Sequence, residues 1–162
     1  MKLKVIMLCG AVLLTAGVQA RLGESVEQCN KRYGDPTYIN LNDDLTGLAS
    51  YTKNDLVIDI HFLNGKADLV RYNPGRVSRI DLELARYLLQ ANGRDKQWDQ
   101  LTDTEMILNE VLDENAQYPR KVLVDPITWK SKDEVLEASF SDSKGTFEAR
   151  SSTYKETLKN GL

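Results

Sequence analysis

The feature that most constrains the fold is a pair of alternating apolar runs, residues 56–63 and 66–72, joined by Asn64-Gly65. Asn-Gly accepts the positive φ angles of a two-residue type I′ turn, and the twist of that turn matches the twist of the flanking strands. The segment is therefore predicted to form a β-hairpin.

A two-residue turn also sets the register of the two strands. Counting outward from the turn pairs Phe62 with Ala67, Ile60 with Leu69 and Ile58 with Arg71. Strand alternation then places five apolar side chains on one face: Ile58, Ile60, Phe62, Ala67 and Leu69. The opposite face is expected to meet water and to carry Asp59, His61, Asp68 and Val70. The apolar face needs a cover, which the neighbouring segments must supply.

The N-terminus has the composition of a secretory signal peptide. Two lysines lie in residues 1–4, residues 5–18 are uncharged and mostly apolar, and Val18-Gln19-Ala20 has the small residues that signal peptidase selects. The apolar run is shorter than the roughly 20 residues that span a bilayer. We expect residues 1–20 to be removed, which makes the mature protein exported, periplasmic or secreted, with no integral membrane span. Lipidation at Cys9 is not expected, because Leu8 directly precedes it.

Cleavage would leave the chain mildly acidic. Loss of Lys2 and Lys4 reduces the basic residues from 21 to 19 against 24 acidic ones, so the net charge changes from −3 to −5. The charges are spread along the chain without a basic stripe, so nucleic acid and anionic membrane surfaces are not expected partners.

The first helix is predicted from a stripe with helical spacing, formed by Leu22, Val26, Cys29 and Tyr33. Ser25 and Gln28 can form a capping box, and Gly34 can end the helix. Cys29 is the one cysteine left after cleavage, so the mature chain has no internal disulfide. A free cysteine on an apolar stripe is expected to be buried, and a bridge to another molecule is the alternative.

Residues 37–41 and 48–52 are expected to add strands, so that the first half is a helix followed by an antiparallel meander. The acidic loop between them, residues 42–47, lacks the alternating ligands and closing glutamate of a calcium-binding loop. We therefore predict a solvated turn and no metal.

The second half is predicted to begin with helices. Asp81 can cap a helix that ends at Asn92-Gly93, with Leu84, Leu88 and Ala91 along one face. A further helix is expected after Thr102, with an apolar face of Met106, Ile107, Leu108, Val111 and Leu112. Trp98, between them, is interpreted as a packing anchor over a helix end.

The remaining segments alternate as strands do. Residues 121–124 and 127–130 are expected to be strands, and residues 135–141 and 146–150 a second hairpin. The predicted class is α+β, with short helices packed on an antiparallel β-sheet. Its boundaries are a signal peptide (1–20), a helix with a meander (21–73), a helix-then-hairpin half (74–150) and a polar, frayed tail (151–162). The mature length suits one domain or two small layers that share a core, which allows the second half to pack with the first as one domain.

The segment from Gly23 to Pro36 resembles the opening of SmpA/OmlA-type envelope proteins, which include a small subunit of the β-barrel assembly machinery. Their pattern is Gly-x-Thr, an apolar helix and Gly-x-Pro, and here Ser25 replaces the threonine and Cys29 a valine. The turn at residues 62–65 is similar to a later turn of that family. The resemblance covers residues 22–72 and implies a helix followed by a meander. Related folds occur in secreted β-lactamase inhibitor proteins, which stack two such units.

Few residues in the sequence indicate catalysis. His61 is the single histidine, and its expected neighbour across the hairpin is Asp68. A general base needs a nucleophile within reach, and none is visible near this pair, so a surface contact is the simpler interpretation. Adjacent acidic pairs, such as Asp43 with Asp44, do not resemble opposed glycosidase carboxylates. No catalytic, cofactor-binding or metal-binding residue is predicted, and the protein is not expected to be an enzyme.

Three functions follow from these observations. The first is a non-enzymatic module that binds another envelope or extracellular protein, with Val57, Val70 and Tyr72 on the outer face of the hairpin as candidate contacts. The second is an inhibitor that blocks a secreted enzyme with a concave sheet or with the loop at residues 42–47. The third is a hydrolase centred on His61.

Overall fold

The structure is a computed structural model that describes residues 21–76, 79–93, 96–102, 105–108, 120–123 and 125–154, with backbone only for 105–108 and 120–123. The predicted signal peptide lies outside these residues. Two helices and ten strands are described, in the order α1 (Val26–Tyr33), β1 (Tyr38–Leu41), β2 (Gly47–Lys53), β3 (Leu56–Leu63), β4 (Lys66–Pro74), α2 (Leu82–Asn92), β5 (Trp98–Gln100), β6 (Glu105–Leu108), β7 (Arg120–Leu123), β8 (Ile127–Ser131), β9 (Leu136–Ser141) and β10 (Thr146–Ser151).

The fold is of the α+β class and is dominated by sheet. Eight strands form one sheet in the order β1-β2-β3-β4-β10-β9-β8-β5, and each pair of neighbours is antiparallel. Strands β6 and β7 form a separate two-stranded sheet. The pairing of β4 with β10 joins the strands of the first half to those of the second.

Helix α1 begins and ends as predicted. The Ser25 hydroxyl accepts a hydrogen bond from the Gln28 amide at 3.2 Å, and the Gln28 side chain accepts one from the Ser25 amide at 2.8 Å. Gly34 follows the helix with a φ of 90°. Cys29 and Tyr33 are buried, and the Tyr33 ring packs on Tyr51 of β2 with 5.3 Å between ring centroids. The stripe therefore covers the sheet.

Helix α2 also follows the sequence pattern. The Asp81 carboxylate caps it by accepting a hydrogen bond from the Leu84 amide at 2.8 Å, and Leu88 and Leu89 are buried against the sheet. The Trp98 ring packs over the end of this helix, because a Cβ added to Gly93 would lie 2.5 Å from that ring. The interpretation of Trp98 as a packing anchor is confirmed.

The central hairpin forms with the predicted turn, in which Asn64 has a φ of 49° and Gly65 a φ of 72°. The predicted register holds only next to the turn. Phe62 pairs with Ala67, but the next pair is His61 with Leu69, so Asp68 is an extra residue in β4. This β-bulge shifts every later pair by one residue.

The predicted faces of β4 are consequently wrong beyond Ala67. Ile60 pairs with Val70 and Ile58 pairs with Tyr72, so Val70 and Tyr72 lie in the core, where both are fully buried. Leu69 lies on the opposite face. The physical reason is Arg71, which the predicted register would have placed on the core face at a large desolvation cost.

The helix predicted after Thr102 is also wrong where the structure describes it. Glu105–Leu108 is strand β6, paired with Arg120–Leu123. A short apolar run fits a strand as well as a helix, and a distant strand partner decides between them. Val111 and Leu112 lie outside the described residues.

Both halves contribute to one core between the helices and the sheet. The largest fully buried side chains include Tyr51, Tyr72, Phe62, Phe140, Phe147, Ile58, Ile60, Ile80 and Leu88. In the second hairpin, the alternating apolar residues of β9 and β10 are buried, namely Leu136, Ala138, Phe140, Phe147 and Ala149. The tail differs from expectation at its start, because β10 includes Ser151 and the ring of Tyr154 contacts that of His61.

We expect Phe147→Ala to destabilise both halves together. Phe147 is fully buried in β10, pairs with Tyr72 of β4 and Phe140 of β9, and lies 6.0 Å from the Tyr72 ring between centroids. Truncation of a buried phenylalanine costs about 3–5 kcal/mol. Urea unfolding followed by tryptophan fluorescence and by circular dichroism should show one shared transition at a lower midpoint. Exposed Val135→Ala is the control and should change stability by less than about 0.5 kcal/mol. Two separate transitions would contradict the single core.

Candidate functional site

The candidate site is the face of the sheet opposite α1 and α2, which we call the open face. Strand pairing aligns its side chains in two rows. The first row consists of Tyr38, Ser50, Asp59, Arg71, Glu148, Ser139 and Thr128, and the second consists of Asn40, Leu48, His61, Leu69, Arg150, Glu137, Lys130 and Asp99. The face crosses both halves of the chain.

Charged groups in the middle of the open face are paired with one another. Arg71 donates two hydrogen bonds to Glu148 Oε2, at 2.9 and 2.7 Å. Arg150 donates two to Glu137 Oε2, at 3.3 and 3.1 Å, and its Nη1 lies 3.7 Å from Glu148. Asp59 accepts hydrogen bonds from Ser50 and Asn73, at 2.6 and 2.9 Å. These alternating charges hold the side chains in place and leave little net charge for a highly charged partner.

The open face also contains a polar groove. A cavity of about 700 Å³ is lined by Arg71, Asn73, Ser139, Ser141, Thr146 and Glu148, among others. A smaller cavity of about 180 Å³ shares Ser139 and Glu148 with it and reaches Leu101. Together they form a depression across β4, β10, β9 and β8, lined mainly by hydroxyl and charged groups.

Exposed apolar side chains concentrate at the β1–β2 end of the sheet. Of the seven exposed large hydrophobic residues in the described part of the chain, four belong to this hairpin: Tyr38 at 52%, Ile39 at 51%, Leu45 at 48% and Leu48 at 37%. Tyr38 and Leu48 lie on the open face, and Leu45 lies in the connecting loop. Clustered exposed apolar groups indicate an interaction site more strongly than scattered ones do.

The loop between β1 and β2 is held by the central hairpin. The Gly65 amide donates to the Leu45 carbonyl at 3.1 Å, and the Asn64 amide donates to Thr46 Oγ1 at 3.0 Å. Leu45 has a φ of 59°, and its side chain packs beside Gly65. Hydrogen bonds to the central hairpin therefore fix the backbone of this loop before any partner binds. In the residues that the structure describes, no group of three or more His, Cys, Asp or Glu side chains could hold a metal ion.

His61 and Asp68 form the predicted pair, with His61 Nδ1 2.8 Å from Asp68 Oδ1. The bulge brings them together, because Asp68 has no residue directly opposite it. Burial raises the pKa of the Asp68 carboxyl, and the hydrogen bond from His61 opposes this shift. The ring of Tyr154 packs edge-on to His61, with 5.4 Å between centroids. Over the described ranges, Asp68 is the single hydrogen-bond partner of the imidazole.

Cys29 does not join His61 in a reactive pair. It lies on the buried side of α1, in the core, whereas His61 lies on the open face, so the sheet separates them. Burial, followed by the charge of Glu24, raises the pKa of the Cys29 thiol to about 12. A nucleophilic cysteine must form a thiolate, which this environment disfavours.

The predicted contact residues of the hairpin are only partly on the open face. Val57 is half-buried there, whereas Val70 and Tyr72 lie in the core, which corrects their predicted role. Sequence reasoning missed that Tyr38 and Leu48 are exposed on the same face, because they come from different strands. The bulge had one signal, since Leu69 and Val70 are consecutive apolar residues that interrupt the alternation of β4.

Comparison with known proteins found no match: no protein-family model, no curated protein and no solved structure matches this chain. Among the described helices, none has both the length and the apolar character needed to cross a bilayer.

The raised pKa of Asp68 predicts a specific dependence of stability on pH. The folded chain holds the Asp68 proton more tightly than the unfolded chain, in which the reference pKa of the carboxyl is 3.8. The free energy of unfolding that this proton contributes is therefore lost as the pH rises through the pKa of Asp68 in the folded protein. Relative to Asp68→Asn, the natural protein should therefore lose free energy of unfolding from about pH 3.8 upward, until that pKa is passed.

Urea titrations of both proteins across this pH range measure the difference. Among the described residues, His61 and Tyr154 interact electrostatically with Asp68, and Arg21, Lys66 and Lys96 line one cavity with it. Because His61 lowers the pKa of Asp68, His61→Leu should move the loss to higher pH. A stability difference that stays constant with pH would contradict the assignment.

Proposed function

We propose that this protein is an exported, non-enzymatic module that binds another envelope or extracellular protein through its open face. The observation that carries the proposal is the position of Tyr38 and Leu48, which are exposed on the open face beside the paired charges of its centre. Tyrosine is favoured at protein interfaces because its ring gives contact area at low entropic cost.

The arrangement fits a protein partner better than a small substrate. An interface commonly has an apolar anchor surrounded by polar groups that are already hydrogen-bonded. Here the anchor is Tyr38 with Leu48 at the β1–β2 end of the open face, and the hydrogen-bonded polar groups are those around Arg71 and Arg150 in the middle of the same face. Because those charges are paired within the chain, a partner needs to match shape and apolar area more than net charge.

The SmpA/OmlA-type resemblance is part of the same proposal. The order of α1 followed by strands β1 to β4 supports it, since the family pattern implies a helix followed by a meander. The finer architecture is proposed as two helix-plus-sheet units, residues 21–73 and 74–150, that pack as one domain through β4 and β10.

A second candidate is an inhibitor of a secreted enzyme, and the anchored β1–β2 loop favours it. One hydrogen bond from the central hairpin holds Leu45 and a second holds Thr46, and the Leu45 side chain is 48% exposed. A rigid loop loses little conformational entropy on entering a partner's cleft. Inhibition of the captured enzyme without turnover would distinguish this role from assembly.

The test is crosslinking and affinity capture of the protein from its native envelope and medium, with mass spectrometry of the retained proteins. Tyr38→Ala combined with Leu48→Ser should reduce capture of a stoichiometric partner about tenfold or more, because a few apolar and aromatic anchors contribute most of the binding energy of an interface. Tyr87→Ala is the matched control: Tyr87 is similarly exposed, at 49%, but lies on α2.

Capture by the natural protein and by the Tyr87 variant, with loss in the double variant, would support the proposal. Equal capture by all three proteins would place the interface elsewhere and reject the open face. Failure of the natural protein to capture any stoichiometric partner would count against the binding function itself.

Export with cleavage after Ala20 predicts a mature protein that begins at Arg21. Intact-mass measurement and N-terminal sequencing of the protein recovered from the periplasm or medium should find that residue first. Recovery of the full chain from the cytoplasmic fraction would contradict the proposed localisation.

A further inference from the structure

Strand β1 is one edge of the eight-stranded sheet, and β5 is the other. Edge strands present unpaired backbone groups, which charged residues or prolines commonly protect from further pairing. β5 has Asp99 at its centre, whereas β1, from Tyr38 to Leu41, has no charged residue and no proline. Of the two edges, β1 is therefore better suited to receive another strand.

Hydrogen bonding shows which backbone groups of β1 face outward. The Asn42 amide donates to the Thr46 carbonyl at 2.9 Å, and β1 pairs with β2 without a register shift. Hydrogen-bonded and non-hydrogen-bonded pairs alternate along an antiparallel ladder. Ile39 and Leu41 therefore direct their N–H and C=O groups away from β2. Among the described strands of this sheet, none lies on that side.

The apolar core also ends at β1. Ile39 lies opposite Ala49 on the helix side of the sheet, and it is 51% exposed although Ala49 is fully buried. Tyr38, on the open face, is exposed to a similar extent. An apolar residue of an added strand would cover Ile39 and extend the core.

The charge around β1 favours a basic partner. From Tyr33 to Thr52 the chain has three acidic residues, Asp35, Asp43 and Asp44, and no lysine or arginine. All three are exposed and flank β1 at its two ends, and none belongs to an ion pair of the described residues. Opposite charge on a partner strand would be attracted at both ends.

The same acids oppose pairing of β1 with a second copy of itself. With Ile39 opposite its counterpart, Asp35 of each copy would come close to Asp43 of the other. With Ile39 opposite Leu41, Asp35 would come close to Asp44. Like charges that face each other across a strand pair are destabilising, so a basic strand from another protein fits this edge better.

We propose that β1 is the docking edge for an extended segment of the partner protein, which becomes a ninth strand of the sheet. The segment alternates apolar and polar residues and has lysine or arginine at each end. Its backbone binds Ile39 and Leu41, and its basic ends lie beside the flanking acids. This inference rests on the proposed function, because it specifies how the partner protein is bound.

The probe is the peptide acetyl-Lys-Thr-Val-Thr-Val-Thr-Val-Thr-Lys-amide, which we call the lysine peptide. Isothermal titration should detect its binding. N-methylation of adjacent central residues should weaken binding about tenfold or more, because ladder hydrogen bonds are lost along either edge of the peptide. Glutamate in place of both lysines should weaken it about fivefold or more at low salt, because attraction becomes repulsion. No binding of the lysine peptide, or equal binding of a control peptide, would overturn the proposal.

Variants at Ile39 assign the binding to the edge. Ile39→Pro removes the outward N–H and leaves the bonds to β2, and proline is tolerated where an edge N–H faces solvent. Ile39→Thr is the matched control, since it loses the same side chain but keeps the N–H. The proline variant should bind the lysine peptide about tenfold or more weakly than the threonine variant, with both folded by circular dichroism. Equal binding by the two folded variants would contradict the edge assignment.

A charge reversal keeps the test valid if Ile39→Pro unfolds. Asp35→Lys combined with Asp43→Lys changes two exposed side chains and should make the protein prefer the glutamate peptide. A retained preference for the lysine peptide would reject the role of the flanking acids.

Two further results separate this inference from its alternatives. Partner capture that survives Ile39→Pro but is lost on changing Tyr38 and Leu48 would uphold the proposed function and overturn the docking edge. If the natural protein captures no partner, the proposed function fails, whereas the edge is judged by the lysine peptide. A dimer in sedimentation that Ile39→Pro abolishes would identify a second copy as the occupant and overturn the proposal.

Discussion

The pairing of β4 with β10 is the contact on which the rest of the structure depends. Without it, the strands on either side would be two small sheets, each with an unpaired edge and a half-covered apolar face. With it, Tyr72 and Phe147 lie together in a core that both helices cover. The open face then extends across both halves, because its rows of side chains continue through this pair of strands.

The bulge at Asp68 connects the core to the surface chemistry. One extra residue in β4 lets Val70 and Tyr72 be buried while Arg71 remains on the open face, where it binds Glu148. The same extra residue lets Asp68 bind His61. Core packing, the charge ladder and the pair of His61 with Asp68 therefore share one local distortion of the backbone.

Local signals in the sequence were sufficient for the helix caps at Ser25 and Asp81, the Asn64-Gly65 turn and the alternation of the second hairpin, because each depends on residues close in the chain. They also paired His61 with Asp68. Tertiary structure alone decided the register beyond Ala67, the strand at Glu105–Leu108 and the exposure of Tyr38 and Leu48 on one face of the sheet. These outcomes depend on distant partners: burial of Arg71 competes against burial of Tyr72, and a short apolar run becomes a strand when another strand is available to pair with it.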